Sequence, residues 1–430
     1  MKIRIDKAKA AYEGELFKSS FGFKGNKLTG VWQSVVALSG GGEFGVGVGV
    51  QSVLWSDSSV FAKYGEDESN KMMFSVTELA ASLISGGEFS SPKEIIDFVF
   101  PECKKHAERV TKMKVTDTFV LNALVALDMA AWQLFARVCG AVEFDFVFRG
   151  EGRGTRLANI PLITYGTGID EVLRMAKDGV SIFKIKLGCD PDGDGDPEKM
   201  LAWDKARALR IHNALKDIKT PYTEQGGIVY YFDANGRYDT KERLSELVSF
   251  FEKEGIAERT VLFEEPFPED KKIYVGDIPI CFAADESAHS LRDVEERIAL
   301  GYKAITLKPI AKTPSVTVEM ARAAYAAGVQ CFCADLTVNP LMVEWNKNFA
   351  ARLTPIKGMK IGIVESNGAQ NYVRWEEMKS YVPRKNTESD ATVYTLDEDF
   401  YKNAGGLFEL SPHYASLIKE KDPEFFEVAK

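Results

Sequence analysis

The chain contains 430 residues, which is more than one average domain and predicts one large domain with a smaller one beside it. Hydrophobic residues make up 45% and charged residues 27% of the chain, as in ordinary soluble globular proteins. The net charge of −9 argues against a nucleic-acid or membrane surface, because both partners select a basic face.

The N-terminal segment, MKIRIDKAKAAYEG, carries charges throughout and has no apolar signal-peptide stretch. We find no apolar run of the roughly 18 residues that a bilayer requires, so the cytoplasm is the expected location. The six cysteines lack the spacing of a disulfide framework. Cys331 and Cys333 alternate within an apolar run, which predicts that both lie on one face of a buried strand.

The first part of the chain mixes strand-like and helix-like segments without a regular rhythm. The strand-like segments include SVVALSGG and FGVGVGVQSVLW, and the helix-like segments include SVTELAASLISGG and SPKEIIDFVF. This mixture predicts a separate α+β domain over residues 1–125.

Short apolar runs alternate with amphipathic stretches from about Ile160 onward. The strand candidates are IPLITY, SIFKIKLG, GIVYYFDAN, TVLFEEP, IPICFAADES, YKAITLKPI, VQCFCADL and MKIGIVES. Alternation of this kind predicts parallel strands with crossover helices, and eight such units match a (β/α)₈ TIM-like barrel. We expect the barrel over residues 126–383 and a C-terminal tail, 384–430, that returns to the first domain.

One acidic segment, DPDGDGDPEKML, resembles the start of a calcium-binding loop through Asp190, Asp192, Asp194 and Gly195. The position that should carry the bidentate glutamate is Leu201, and no matched pair of helices surrounds the segment. We therefore interpret it as an acidic loop that leads into the second barrel helix.

Three carboxylates stand at the ends of successive strand candidates: Asp233, Glu264 and Asp285. In a parallel barrel these ends meet at one mouth, where the fold places its chemistry. Carboxylates brought together repel one another unless a cation lies among them, and oxygen ligands suit Mg²⁺. A single acid is more simply explained as a helix cap, but three on successive strands favour a metal site.

Lysines flank these acids on both sides. Lys184 and Lys186 precede Asp233 by one strand and point to the same face, and Lys308 follows Asp285 by one strand. Burial, neighbouring cations and a metal would all disfavour the ammonium form, as a lysine general base requires. Outward-pointing lysines, or simple ion pairs with the acids, explain the pair equally well at this point.

The order of these residues decides between the interpretations. Lys-x-Lys, Asp, Glu, Asp and Lys follow one another along strands two to six, and this order resembles the enolase superfamily. The resemblance is to the muconate-lactonizing branch of the mandelate racemase/muconate-lactonizing enzyme family. The motifs that carry it are KIK from Lys184, DANG from Asp233, EEP from Glu264, ADES from Ala284, ALDMAAWQLFARVCG from Ala126 and VESNG from Val364.

The resemblance implies magnesium-dependent removal of the proton alpha to a substrate carboxylate, through an enediolate intermediate. By position, Asp233, Glu264 and Asp285 would ligate one Mg²⁺, with Glu264 rather than Glu265 as the ligand of its motif. Asn235 would support the ligand shell. The substrate would be a small carboxylate, and the protein a homo-oligomer.

The resemblance also assigns the lysines. Lys186 and Lys308 would form an acid/base pair on opposite faces of the substrate, while Lys184 lowers the pKa of Lys186 and helps to hold the carboxylate. The N-terminal domain would cover the barrel mouth, and its loops Phe17 to Phe23 and Gly47 to Trp55 would help to select the substrate.

Two features separate the chain from other branches. The eighth strand ends in Glu365 and Ser366, without the Asp-x-Asp that dipeptide epimerases use to hold an ammonium group, although both residues remain candidates for substrate contact. The mandelate-racemase branch uses a His-Asp dyad on later strands, but no histidine occurs between His289 and His413. We interpret His289 as an ordinary loop residue.

The reaction class stays open between related outcomes. Lysines on both faces favour racemisation or epimerisation, whereas loss of a β-substituent would give an acid-sugar dehydratase and ring opening a cycloisomerase. A non-catalytic paralogue is a further alternative, but it would be expected to lack a metal ligand or a lysine, and all are present here.

Overall fold

The structure, a computed structural model, describes residues 1–23, 26–384 and 388–427. Residues 24–25, which follow the predicted substrate-selecting loop Phe17 to Phe23, and residues 385–387 and 428–430 of the predicted tail lie outside the described residues.

The N-terminal part is built on a three-stranded antiparallel sheet in the order β2-β3-β4. Its strands are β1 (Ile3–Arg4), β2 (Lys7–Phe23), β3 (Asn26–Gly40), β4 (Glu43–Gln51) and β5 (Glu88–Phe89), with β1 paired to β5. Its helices are α1 (Val53–Ser56), α2 (Ser58–Ile84), α3 (Pro92–Thr111) and α4 (Asp117–Cys139). Gly45 and Gly47 face α4 so closely that an added Cβ would lie 2.1 Å from a helix carbonyl oxygen, which explains the alternating glycines of β4.

Helix α4 is the one helix in the described part of the chain that is long and apolar enough to cross a membrane. The expectation that no segment reaches this length is therefore wrong, although 94% of its most apolar window is buried inside the protein. Asp128 of α4 accepts hydrogen bonds from the Ser315 backbone N–H and hydroxyl at 2.7 Å. The predicted division at residue 126 lies inside this continuous helix, because α4 packs against both parts of the chain.

The remaining strands form a closed parallel barrel. They are β6 (Arg156–Ile160), β7 (Leu162–Ile163), β8 (Ile182–Lys186), β9 (Val229–Asp233), β10 (Thr260–Glu264), β11 (Phe282–Ala284), β12 (Ala304–Leu307), β13 (Gln330–Cys333) and β14 (Gly362–Glu365). Pro161, which has no backbone N–H, divides the first barrel strand into β6, paired with β14, and β7, paired with β8. Strand β15 (Val393–Thr395) extends β6 in the antiparallel direction.

Helices surround the barrel and form the tail. They are α5 (Ile169–Lys177), α6 (Pro197–Leu215), α7 (Lys241–Lys253), α8 (Leu291–Ala299), α9 (Pro309–Lys312), α10 (Pro314–Ala326), α11 (Pro340–Ala350), α12 (Gly368–Asn371), α13 (Trp375–Met378), α14 (Glu398–Asn403) and α15 (Pro412–Lys421). Helix α15 contacts the N-terminal sheet, where the Tyr414 hydroxyl donates to Gln33 at 3.1 Å. The predicted fold class, a (β/α)₈ barrel with an N-terminal α+β domain, is confirmed.

The acidic loop before α6 is held by its own chain. Asp190 accepts hydrogen bonds from two backbone N–H groups, and Lys199 pairs with Asp192 and Asp194 at 2.7 and 2.6 Å. Asp196 caps the N-terminus of α6. These contacts agree with an acidic loop that leads into a helix.

Candidate active site

Alternation along the barrel strands directs the candidate residues inward. On β8, Phe183 and Ile185 belong to the layer between strands and helices, so Lys184 and Lys186 face the barrel interior. Cys331 and Cys333 share the outer face of β13, as predicted, and are buried there.

The inward-facing strand ends open into a cavity between the barrel and the N-terminal part. The structure brings eight of the nine predicted site residues to its walls: Lys184, Lys186, Asp233, Asn235, Glu264, Asp285, Lys308 and Glu365. Ser366, the ninth, directly follows β14 and is buried, but it is not among the described residues that line the cavity.

Lys184 lies at the centre of the acidic residues. Its Nζ atom is 3.0 Å from Glu264, 3.2 Å from Asp233 and 3.2 Å from Glu365. Burial alone would lower the pKa of Lys184, but these carboxylates outweigh it and raise the pKa well above its usual value. The ammonium form of Lys184 is therefore strongly favoured.

Lys186 lies nearer the mouth and pairs with the next strand. Its Nζ atom is 2.6 Å from the Asp233 carboxylate and 2.5 Å from the side-chain oxygen of Asn235. Asn235 adopts a left-handed backbone with φ 44°, and its side-chain nitrogen donates to Glu286 at 2.9 Å. Asn235 thus connects the lysine to the acidic cluster.

Lys308 enters the cavity from the other side. Its amine donates to the Asp285 carboxylate and lies 4.4 Å from the centre of the Trp55 ring. Burial would lower the pKa of Lys308, but the charges of Asp285, Glu286 and Glu264 raise it above the usual value. This direction is opposite to the one expected for a lysine base, because the acids pair directly with the ammonium groups.

The two lysines stand on opposed strands. In the closed sheet, β9, β10 and β11 separate β8 from β12 in one direction. In the other direction they are separated by β13, β14 and the divided first strand, β6 with β7, which also makes three. Lys186 and Lys308 therefore approach a common centre from opposite sides, with the acidic cluster between them.

The acidic cluster fits a divalent cation. Glu264, Asp285 and Glu286 each offer a carboxylate oxygen, and these atoms lie within 4.8 Å of one another. Burial and, less strongly, the charges of Asp233 and Asp285 raise the pKa of Glu264 despite Lys184. Oxygen-only donors under mutual repulsion are the set that Mg²⁺ relieves and binds.

Asp233 stands at the edge of this cluster. Burial disfavours the ionised form of Asp233, but Lys186 and Lys184 lower its pKa below the usual range. In this structure the Asp233 carboxylate therefore pairs with the lysines. Glu286 was missed by sequence reasoning, although it directly follows Asp285 at the same strand end. Glu265 turns away, at φ 40°, and accepts hydrogen bonds from Asp285 and Ser287 at 2.6–2.9 Å.

Asp335 is a second site residue that sequence reasoning missed. It follows β13 and lines the cavity, where its carboxylate accepts from the Asn367 backbone N–H at 2.7 Å. Burial and the neighbouring Glu365 raise the pKa of Asp335 to about 7. The rule that found the other acids, a carboxylate at the end of an apolar strand, would also have found this one.

His289 lies outside the cavity lining. Its ring contacts the Thr118 hydroxyl on one side and the Glu269 carboxylate, at 2.9 Å, on the other. These contacts agree with an ordinary loop residue that joins α4 to the barrel.

No protein-family model and no curated protein matches the sequence. Among solved structures, a mandelate racemase/muconate lactonizing protein from Herpetosiphon aurantiacus is similar, with a TM-score of 0.66 and 18% identity over 94% of this chain and 98% of that chain. A dipeptide epimerase from Enterococcus faecalis, complexed with Mg and the dipeptide L-Leu-L-Tyr, is also similar. It gives a TM-score of 0.66 and 16% identity over 94% of this chain and 99% of that chain.

An N-succinyl Arg/Lys racemase from Bacillus cereus gives a TM-score of 0.64 and 15% identity over 96% of this chain and 98% of that chain. The similarities extend over nearly the whole of each chain, so both the barrel and the N-terminal part are shared. The chain therefore has the same fold as these mandelate racemase/muconate lactonizing enzyme structures.

Proposed function

We propose that the protein is a magnesium-dependent racemase or epimerase that moves the proton alpha to a substrate carboxylate. The observation that carries this proposal is the placement of Lys186 and Lys308 on opposite sides of one cavity, with buried carboxylates between them. Two amines on opposite faces allow one to remove a proton and the other to return it.

Glu264 and Asp285 would hold the cation. The sequence order implies Asp233 as a further ligand, and the distances between carboxylate oxygens imply Glu286. A bound Mg²⁺ supplies positive charge that stabilises an enediolate next to the substrate carboxylate. The donor set fits this role because all four groups are buried carboxylates.

Lys184 would bind the substrate carboxylate, because its raised pKa keeps it charged. Lys186 and Lys308 are held by Asp233 and Asp285, so either amine becomes a base only when the negative charge of its partner is neutralised. For one stereoisomer Lys186 would take the proton and Lys308 would donate one to the opposite face. For the other stereoisomer the roles would exchange.

The compared structures support this class of chemistry, since they include a racemase and an epimerase. A small carboxylate substrate, a homo-oligomeric state and a cytoplasmic location belong to the same proposal. Dehydration of an acid sugar and cycloisomerisation begin with the same proton abstraction and differ in the second step.

The test is a deuterium-exchange screen in D₂O with acid sugars, dipeptides and N-acyl amino acids. We expect magnesium-dependent deuterium at the α-carbon together with inversion of configuration, and loss of both in excess chelator. In calorimetry, Glu264→Gln and Asp285→Asn should each bind Mg²⁺ much more weakly than the wild type does. Full activity in chelator would contradict the metal site.

The products separate the remaining classes. A keto acid without configurational change in recovered substrate would replace the racemase with a dehydratase, and a ring opened or closed would indicate a cycloisomerase. Absence of exchange with every acid, in protein that binds Mg²⁺, would favour a non-catalytic paralogue.

A further inference from the structure

The cavity has two chemically different walls. The barrel side carries all the charged side chains among the described lining residues, whereas the N-terminal side is largely apolar. The apolar lining consists of Phe17, Leu28, Val31 and Trp55, continued on the barrel by Leu162 and Leu336. We call these six residues the apolar wall.

Few polar groups interrupt the apolar wall. Among the described residues, the N-terminal part adds only the Ser52 hydroxyl and the Trp55 indole N–H, and the latter is buried without a hydrogen-bond partner. Val31 and Leu28 are 4% and 8% exposed, so bulk solvent reaches little of either side chain. The part of a ligand that contacts the apolar wall loses its contact with water and gains few hydrogen bonds to the protein.

We propose that the substrate is a carboxylic acid whose other substituent is a hydrocarbon group packed against the apolar wall, not a polyhydroxylated acid. This rests on the proposed function in one respect, since the carboxylate is taken to lie at the lysines and acids of the opposite wall. An acid sugar would bring a hydroxyl on nearly every carbon, and each would lose water without a partner. A hydrocarbon chain gains from the same desolvation.

Binding of simple acids to the magnesium-loaded protein tests this independently of racemisation. Calorimetry compares butanoate, pentanoate and hexanoate with gluconate, which has the same carbon count as hexanoate. Each added methylene should tighten binding about fourfold, and gluconate should bind at least about tenfold more weakly than hexanoate. Equal affinity for gluconate and hexanoate, or no dependence on chain length, would overturn the proposal.

A matched pair of variants locates the effect. Val31→Thr keeps the side-chain shape but places a hydroxyl in the wall, and Val142→Thr makes the same change at a site that is 58% exposed. Val31→Thr should weaken hexanoate binding about fourfold or more, and Val142→Thr should leave it unchanged. Equal effects in the two variants would mean that the acids bind elsewhere.

Phe17→Leu serves as a second wall variant, since it keeps the wall apolar but shortens it. It should weaken hexanoate binding more than butanoate binding. If affinity rises with chain length but no acid in the D₂O screen exchanges its α-proton, the proposed reaction is contradicted and the role of the apolar wall is supported. Exchange that prefers acid sugars would contradict the wall and leave proton abstraction supported.

Discussion

Lys308→Ala removes one of the two opposed amines and leaves the acidic cluster with a cationic neighbour. Lys312 donates to the Asp285 backbone oxygen at 2.7 Å, and the same amine lies 3.4 Å from its carboxylate. Asp285 is therefore not left as an unpaired buried charge. We expect Lys308→Ala to fold and to bind Mg²⁺ at least as well as the wild type.

The expected size of the catalytic effect comes from the role of a general base. Such a group contributes about 10²–10⁴-fold, equivalent to about 3–5 kcal/mol of activation free energy. Lys308→Ala should lose this much in racemisation in both directions, because each direction needs both amines. It should still exchange the α-proton of the stereoisomer that Lys186 faces, within about tenfold of the wild-type rate.

Deuterium incorporation into each purified stereoisomer, followed by NMR in D₂O, measures the two half-reactions separately. Lys186→Ala should show the opposite preference, which makes the two variants controls for one another. If both variants lose exchange of both isomers equally, or if either racemises at the wild-type rate, the opposed-base arrangement is refuted.

The surrounding contacts give three further predictions. Glu286→Gln and Asp233→Asn should each weaken Mg²⁺ binding at least about tenfold in calorimetry, because both carboxylates lie beside Glu264; unchanged affinity would remove that residue from the ligand set. His289→Asn should keep turnover within about tenfold of the wild type, whereas a loss of about 10²–10⁴-fold would identify it as the base. Burial raises the pKa of Asp128 to about 6, so the folded state favours the neutral form of this carboxyl group. Its contribution to the free energy of unfolding is therefore complete below about pH 4 and is lost as the pH rises through about 6. In urea unfolding measured between those pH values, Asp128→Asn should remove this fall in the free energy of unfolding, which is about 3 kcal/mol at most. If the free energy of unfolding changes with pH equally in the variant and the wild type, the prediction is contradicted.

The sequence alone determined where the barrel strands run and which way their side chains point. Alternation in SIFKIKLG and in the strands that end at Asp233 and Glu264 has a period of two, which is a local property of extended backbone. Parallel strands bring their carboxyl ends to one mouth, so the candidate residues could be gathered before any contact was known.

Only the tertiary structure decided how these residues pair and what covers them. Trp55 lies over Lys308, and Asn235 joins Lys186 to Glu286, through loops whose paths depend on contacts far apart in sequence. The pKa of Lys308 was expected to fall with burial, and the structure reverses the sign because Asp285 is within hydrogen-bonding distance.

The same distinction applies to α4, whose composition satisfies the length and hydropathy of a membrane span. Its position between the N-terminal sheet and the barrel is set by the close approach of Gly45 and Gly47 and by the Asp128 contacts to Ser315. Periodicity is carried by neighbouring residues and can be recognised in the chain. The partner of an apolar face, or of a charge, is fixed only when distant segments pack, because burial and Coulomb energies depend on distances in space.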